Sequence, residues 1–246
     1  MKNRIADSVI SRIPAPRFAT YLAETDSGHG PNPYVALDLY LWNIDAAAAV
    51  TSTTSIVEVA LRDSIDQQLR IWNQERANTT EWITKPAVPL SHIVRSTPPR
   101  SWRPTTKRPL YGYWWETRAR ERCTKEHPNH DDLVAALPFG TWLQLIPKPP
   151  SLGGQISGPR VDLWEEALRF GFKASSYQAY TWAETLRQAR NRASHLEPLL
   201  DLKQLRHWHR ISSRLLNSLW PEAHVLVSGP ARIPSVIQRH PLINES

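Results

Sequence analysis

A chain of 246 residues with 41% hydrophobic content has enough apolar surface for a proper core, which excludes global disorder. Its single cysteine, Cys123, cannot form an intramolecular disulfide, so a disulfide-stapled secreted scaffold is excluded and a reducing, cytoplasmic setting is expected. Lysine and arginine exceed aspartate and glutamate by 30 to 23, and the nine glycines form neither a G-x-G-x-x-G nor a G-x-x-x-x-G-K-[ST] loop, which removes the usual dinucleotide and triphosphate cradles.

In chain order, the sequence predicts an irregular, proline-punctuated start up to Pro33 and a short helix over Tyr34 to Trp42. A second helix is predicted from about Ala46 to Trp72, because Val57, Leu61, Ile65, Leu69 and Trp72 recur at helical spacing and form one apolar stripe. On another side Glu58, Arg62 and Asp66 follow each other at i+4, so Arg62 can lie between two carboxylates. The longest apolar runs, such as Ala46 to Val50, fall well short of the roughly 18 residues of a membrane span, and no membrane partner is expected. Asp7, Ser8 and Pro14 prevent an apolar signal core behind Lys2 and Arg4.

Pro86, Pro89, Pro98, Pro99, Pro104 and Pro109 predict a long irregular segment after Trp82, and the stretch from about 82 to 125 reads as a basic insertion. Leu110 to Lys125 can form a basic helix within it. Asn129 or Asp131 can cap a further helix carrying Leu133, Val134, Leu137, Trp142 and Leu145, which Pro138 divides. Pro147, Pro149, Pro150, Gly153 and Gly154 form a break that reads as a hinge between helical halves. Helices follow over Val161 to Phe172, Tyr177 to Leu196 and Asp201 to Leu219, the last with the stripe Leu205, Trp208, Ile211, Leu215 and Leu219. The tail from Pro221 is predicted to be irregular. Strand-like alternation is scarce, so the fold class is all-α, as a single domain over 1–246 with its core at about 20–220.

The excess positive charge sits in one stretch. Between Arg95 and Lys125 there are nine basic residues against Glu116 and Glu121, with Trp102, Tyr111, Tyr113, Trp114 and Trp115 interleaved. Arginines such as Arg118, Arg120 and Arg122 could pair phosphates there while aromatic rings stack bases, and the alternative is a solvated segment anchored by its aromatics. His127, His130, Asp131 and Asp132 are metal-ligand types, but they fall where a helix cap and solvated loop residues are expected. His207 and His209, two apart on a helix, point about 200° from each other and cannot chelate one ion. No metal and no cofactor are expected.

The remaining constellation is Arg190, Asn191, Arg192, Ala193, Ser194, His195, Leu196, Glu197 and Pro198. The same arginine-to-histidine spacing occurs at Arg122 and His127, where no apolar helix supports it. Asn191 and His195 share one helix face, while Trp182, Leu186, Ala189 and Ala193 fill the opposite one. Pro198 disfavours helical backbone at Glu197, so the helix should stop near there with His195 exposed in its last turn. The negative end of the helix dipole favours imidazolium, and an arginine fork beside it can bind a phosphate. This combination suits metal-independent RNA cleavage, with a ribose 2′-OH attacking its own phosphate; a two-fold dimer would supply a second arginine and histidine.

Several of these segments together resemble the Abi family of abortive-infection proteins, whose C-terminal motif places them among HEPN domains. Tyr21 and Leu22, then Ala36, Leu37, Leu39, Tyr40, Trp42 and Asn43, look like the opening helix of that family, and Glu58 to Arg62 (EVALR) like its signature on the second. Leu137, Phe139, Gly140 and Trp142 resemble its L-x-F-G-x-W segment, Leu163 and Trp164 its LW pair, and Arg190 to Pro198 its RNR-x-x-H-x-EP. The resemblance covers roughly residues 20 to 220. It implies a HEPN-like helical bundle and a ribonuclease toxin of phage defence or of a toxin-antitoxin pair. RNA, a second copy of the chain and an antitoxin are the implied partners. Arg190, Asn191 and His195 are the implied catalytic residues, with Arg62, Arg187 and Arg192 as further RNA-binding candidates. The chain departs from the family pattern at Asp63, Leu196 and Pro138.

Overall fold

The computed structural model describes residues 2–26, 30–95, 101–105, 110–221, 223–229 and 232–243. Among these residues there is no strand, and the chain is all-α as its sequence predicts. Helices α1 (Lys2–Ile10) and α2 (Ala15–Glu24) precede the 45-residue helix α3 (Pro33–Ala77). Short helices α4 (Leu90–Val94), α5 (Trp114–Arg122), α6 (His130–Ala136), α7 (Phe139–Leu143) and α8 (Pro159–Glu166) follow. The long helices α9 (Ser176–Ser194) and α10 (Leu202–Leu219) and a short α11 (Ile233–Gln238) complete the order.

Helix α3 replaces the two helices predicted between Tyr34 and Trp72. After Pro33 it contains neither glycine nor proline, so nothing in the sequence stops it. Pro33 occupies the first turn, where its missing N–H is harmless, and the Asn32 side-chain oxygen accepts from the Tyr34 N–H at 3.0 Å. Asn78, at φ 55°, turns the chain away at the other end. The predicted stripe Val57, Leu61, Ile65, Leu69 and Trp72 is buried throughout. By length and composition alone α3 could cross a bilayer, a feature that uninterrupted apolar runs do not reveal; half of its apolar window is buried inside the protein itself.

The chain divides into two compact units, one comprising Met1–Ile56, Gln188–Ser213 and His224–Ser246, the other Val57–Arg187 and Arg214–Ala223. The divisions fall inside α3, α9 and α10 rather than at Pro147 to Gly154, so that break is not a hinge between halves.

In the first unit the predicted irregular start is helical instead. Phe18 and Tyr21 of α2 pack with Ala36 and Leu39 of α3, and Ile10, Ile13 and Leu242 close around them. The tail from Pro221 is also more ordered than expected. Ile233, Val236 and Ile237 of α11 are buried, Trp42 Nε1 donates to the Val236 carbonyl at 2.8 Å, and the His240 ring packs edge-on against Trp42. Apolar side chains on short elements override the local proline content in both places.

In the second unit, residues at the start of the predicted insertion belong to the core. Trp82, Ile83, Leu90 and Val94 are fully buried. The amide of Asn73, itself fully buried on α3, donates to the carbonyls of Thr79 and Lys85 and accepts from the Ala87 N–H, which ties down the connection into α4. Pro98, Pro99 and Pro109 lie outside the described residues. Pro138 separates α6 from α7, as predicted.

Asp66 is the polar centre of this unit. Its carboxylate accepts from Trp82 Nε1 at 2.7 Å and Arg70 Nε at 2.7 Å, and it meets His130 Nε2 at 3.1 Å. These partners correct the expected Glu58, Arg62, Asp66 row, because Asp66 turns toward Trp82 and His130 while Arg62 donates to the Ala135 carbonyl. Burial alone would raise the Asp66 pKa, yet the hydrogen bonds from His130, Trp82 and Arg70 outweigh it and hold the carboxyl below its ordinary value.

A depressed folded pKa means that the unfolded chain takes up the proton first on acidification. The stabilisation is therefore complete above the unfolded value of about 3.9 and is lost as pH falls through the lower folded value. Asp66→Ala should destabilise the protein by about 1–3 kcal/mol, because the buried Trp82 indole N–H and His130 ring lose their partner. Asp66→Asn should flatten the acid limb of a stability-against-pH curve below about pH 4, measured by denaturant unfolding.

Candidate active site at the end of helix α9

The Arg-Asn-Arg-x-x-His sequence of Arg190 to His195 spans the end of α9. The helix ends at Ser194, close to where Pro198 predicts, and His195 follows it directly. The Leu196 N–H donates to the Ala193 carbonyl at 2.9 Å and the Glu197 N–H to the Arg192 carbonyl at 3.0 Å. That pair of bonds is a Schellman cap, and it requires Leu196 to adopt left-handed backbone at φ 50°. Glycine usually takes this position, because a side chain there costs about 1–2 kcal/mol.

Three side chains hold the strained turn within the first unit. Asn43 of α3, only 1% exposed, accepts from the Leu199 N–H at 2.7 Å and donates to the Glu197 carbonyl at 3.3 Å. Arg17 of α2 donates to the Leu196 carbonyl at 3.0 Å. Arg192 donates to Glu197 Oε2 at 3.0 Å and to the Pro198 carbonyl at 3.1 Å, and its guanidinium lies 5.5 Å from the Trp208 ring centre. Arg192, expected to contact RNA, is thus committed to the cap. The roles of Arg17 and Asn43 have no local signature, since their partners lie 179 and about 155 residues away in sequence.

Asn191 and His195 are both exposed, and the His195 N–H still donates to the Asn191 carbonyl at 3.1 Å, which keeps them one helical turn apart on one face. Arg190 is half-buried, roughly 100° around the helix from Asn191. Ala189 and Ala193 are buried on the opposite side, as the periodicity predicts. The structure therefore presents the imidazole to solvent at the end of a helix whose exit is clamped.

The other candidate arginines lie in the second unit, mostly in polar contacts of their own. Arg187 is gripped by both carboxylate oxygens of Glu184, each at 2.7 Å. Asp63 accepts from Gln67 at 2.9 Å. On α5, Arg120 donates to Glu116 at 2.9 Å and stacks 4.6 Å from the Tyr111 ring centre, while Arg118 lies 5.6 Å from that of Trp114. Arg122 is exposed. Trp114 and Trp115 are buried, which removes two of the five expected stacking platforms, and Trp102 packs edge-on against Trp114. Arg100, Lys107 and Arg108 lie outside the described residues.

Asn129, not Asp131, caps α6, in a reciprocal box with Asp132. His130 turns inward to Asp66, and Asp131 pairs with Arg70. Among the described residues no group of three or more His, Cys, Asp or Glu side chains is placed to hold a metal ion. No family model matches the chain, and no curated protein or solved structure is detectably similar to it.

Two substitutions test the clamp. Leu196→Gly should raise stability by about 1 kcal/mol by relieving the left-handed backbone. Asn43→Ala should lower it by about 2 kcal/mol, because a buried N–H and carbonyl lose their partner. Denaturant midpoints measure both, and equal midpoints for all three proteins would contradict this account.

Proposed function

We propose that the protein is a metal-independent endoribonuclease with a HEPN-like helical fold, acting as a toxin in abortive infection or in a toxin-antitoxin pair. One observation carries this reading: His195 and Asn191 stand exposed on one face at the clamped end of α9, with the half-buried Arg190 one residue before Asn191. In the proposed reaction an imidazole takes the proton of a ribose 2′-OH as the 2′-oxygen bonds to the adjacent phosphorus. The bond from phosphorus to the 5′-oxygen then breaks, and a proton is delivered to that leaving oxygen. The products are a 2′,3′-cyclic phosphate and a 5′-hydroxyl. Arg190 offsets the charge that gathers on the phosphorane, and Asn191 orients the phosphate.

General acid-base catalysis contributes only about 10² to 10⁴ in rate, so one histidine is a thin apparatus. A two-fold pairing of α9 ends from two copies supplies one imidazole as base and another as acid. The working partners are then RNA, a second copy and an antitoxin, in the cytoplasm.

RNA incubated with the protein in EDTA should be cut to fragments ending in 2′,3′-cyclic phosphate. His195→Ala should slow cleavage at least about 100-fold and Arg190→Ala by a comparable factor. Equal cleavage by all three proteins would defeat the assignment. The second reading, a non-catalytic RNA-binding or partner-binding module, is favoured by the excess of nine basic over two acidic residues between Arg95 and Lys125. It is distinguished by salt-sensitive RNA binding without scission.

A further inference from the structure

The second unit contains a cleft of about 580 Å³ between α4, the Pro147 to Gly158 loop and the start of α8. Its lining includes Lys148, Arg160 and His92 and no aspartate or glutamate. Among the described residues neither Lys148 nor Arg160 makes an ion pair, whereas Arg70, Arg76, Arg120, Arg169 and Arg187 of the same unit each do. Two cations that line one cleft with no carboxylate in its wall leave positive charge there for an entering anion.

The loop holds these groups in place. Gly154 packs so tightly that a Cβ there would lie 1.7 Å from the Lys148 carbonyl oxygen, and its N–H donates to the Pro149 carbonyl at 2.9 Å. Gly158, at φ 111° and ψ −178°, occupies backbone that is essentially restricted to glycine, directly before Pro159 and Arg160. Lys148 is half-buried, with its Nζ 4.0 Å from where a Cβ on Gly153 would sit, and Arg160 is exposed. Gln144, Gln155 and Ser157 add uncharged hydrogen-bonding groups, while Ile93, Pro147 and Val161 supply apolar wall. The volume falls in the range of small-ligand pockets.

We propose that this cleft binds a phosphate group, with Lys148 and Arg160 as its charged recognition pair and the apolar wall receiving the adjoining sugar or base. The ligand is a free mononucleotide or a nucleotide unit of an RNA strand. This site is distinct from the end of α9 and stands whether or not the protein cleaves RNA.

Isothermal titration calorimetry on the full chain tests it, with AMP, a twelve-residue oligouridylate and, as the phosphate-free control, adenosine. At low salt AMP or the oligonucleotide should bind saturably and adenosine should not. Lys148→Ala and Arg160→Ala should each weaken that binding about tenfold, corresponding to a lost charge-assisted hydrogen bond, while Lys148→Arg keeps most of it. AMP binding identifies a free nucleotide as ligand; binding of the oligonucleotide alone, dependent on both side chains, identifies strand phosphates. The proposal is overturned if neither phosphate-bearing probe binds, if adenosine binds as tightly as AMP, or if both alanine variants bind like the parent protein.

Discussion

The presentation of His195 depends on a backbone reversal that leucine resists. A helix end leaves carbonyls without partners, and at α9 they are satisfied only because Leu196 accepts left-handed geometry. Such strain persists only when the surroundings over-determine it. Here Asn43, Arg17 and Arg192 bind the turn from three sides, so the local cost is offset by non-local bonds. The same bonds fix where the chain leaves the helix and keep the imbedded alanines of α9 inward and the polar face outward. If the cap were lost, residues after Ser194 could continue or fray, and the face carrying Asn191 and His195 would lose its fixed end.

Helix α3 is the common frame for this kind of constraint. Three of its polar side chains reach out to other segments: Asn43 and Asn73, both buried, and Asp66, which is half-buried. Each satisfies groups from other segments: the turn after α9, the Trp82 indole with His130 at the start of α6, and the connection into α4. A buried amide or carboxylate is costly without partners, so each of these positions accepts only one arrangement of its loop. Apolar packing of the stripe holds α3 in its core, and the polar side chains specify which loop lies where.

The distinction explains what the sequence made legible. Stripes of leucine and isoleucine announce α3 and α10 because burial and helical period coincide along one segment. The stop of α9 is visible through Pro198. The continuity of α3 through Asn43, Ile44 and Asp45 carries no apolar stripe to announce it, although no residue there breaks a helix. The helices at both ends are hidden by local proline content, because only a few apolar side chains dock them, Phe18 and Tyr21 at one end and Val236 and Ile237 at the other. The left-handed Leu196 and the role of Asn43 could not be read locally at all: leucine carries no signal for positive φ, and the partners of Asn43 are remote.

Charge placement is legible in the sequence as a sum, but the partner of each cation is not. Nine basic residues within one stretch suggest an open phosphate-binding surface. In the folded chain Arg118 and Arg120 lie against aromatic rings, Arg120 also pairs with Glu116, and Lys125 pairs with Asp132. Arg187 and Arg192 are held by Glu184 and Glu197. An arginine already gripped by a carboxylate can bind a phosphate only by exchanging one anion for another, and the net gain is the difference between the two pairings rather than the whole of either. Cations whose neighbours include no carboxylate keep the full interaction in reserve. The local balance of charge at each guanidinium and ammonium, not the count along the chain, therefore decides where an anion is drawn, and that balance is set by tertiary packing.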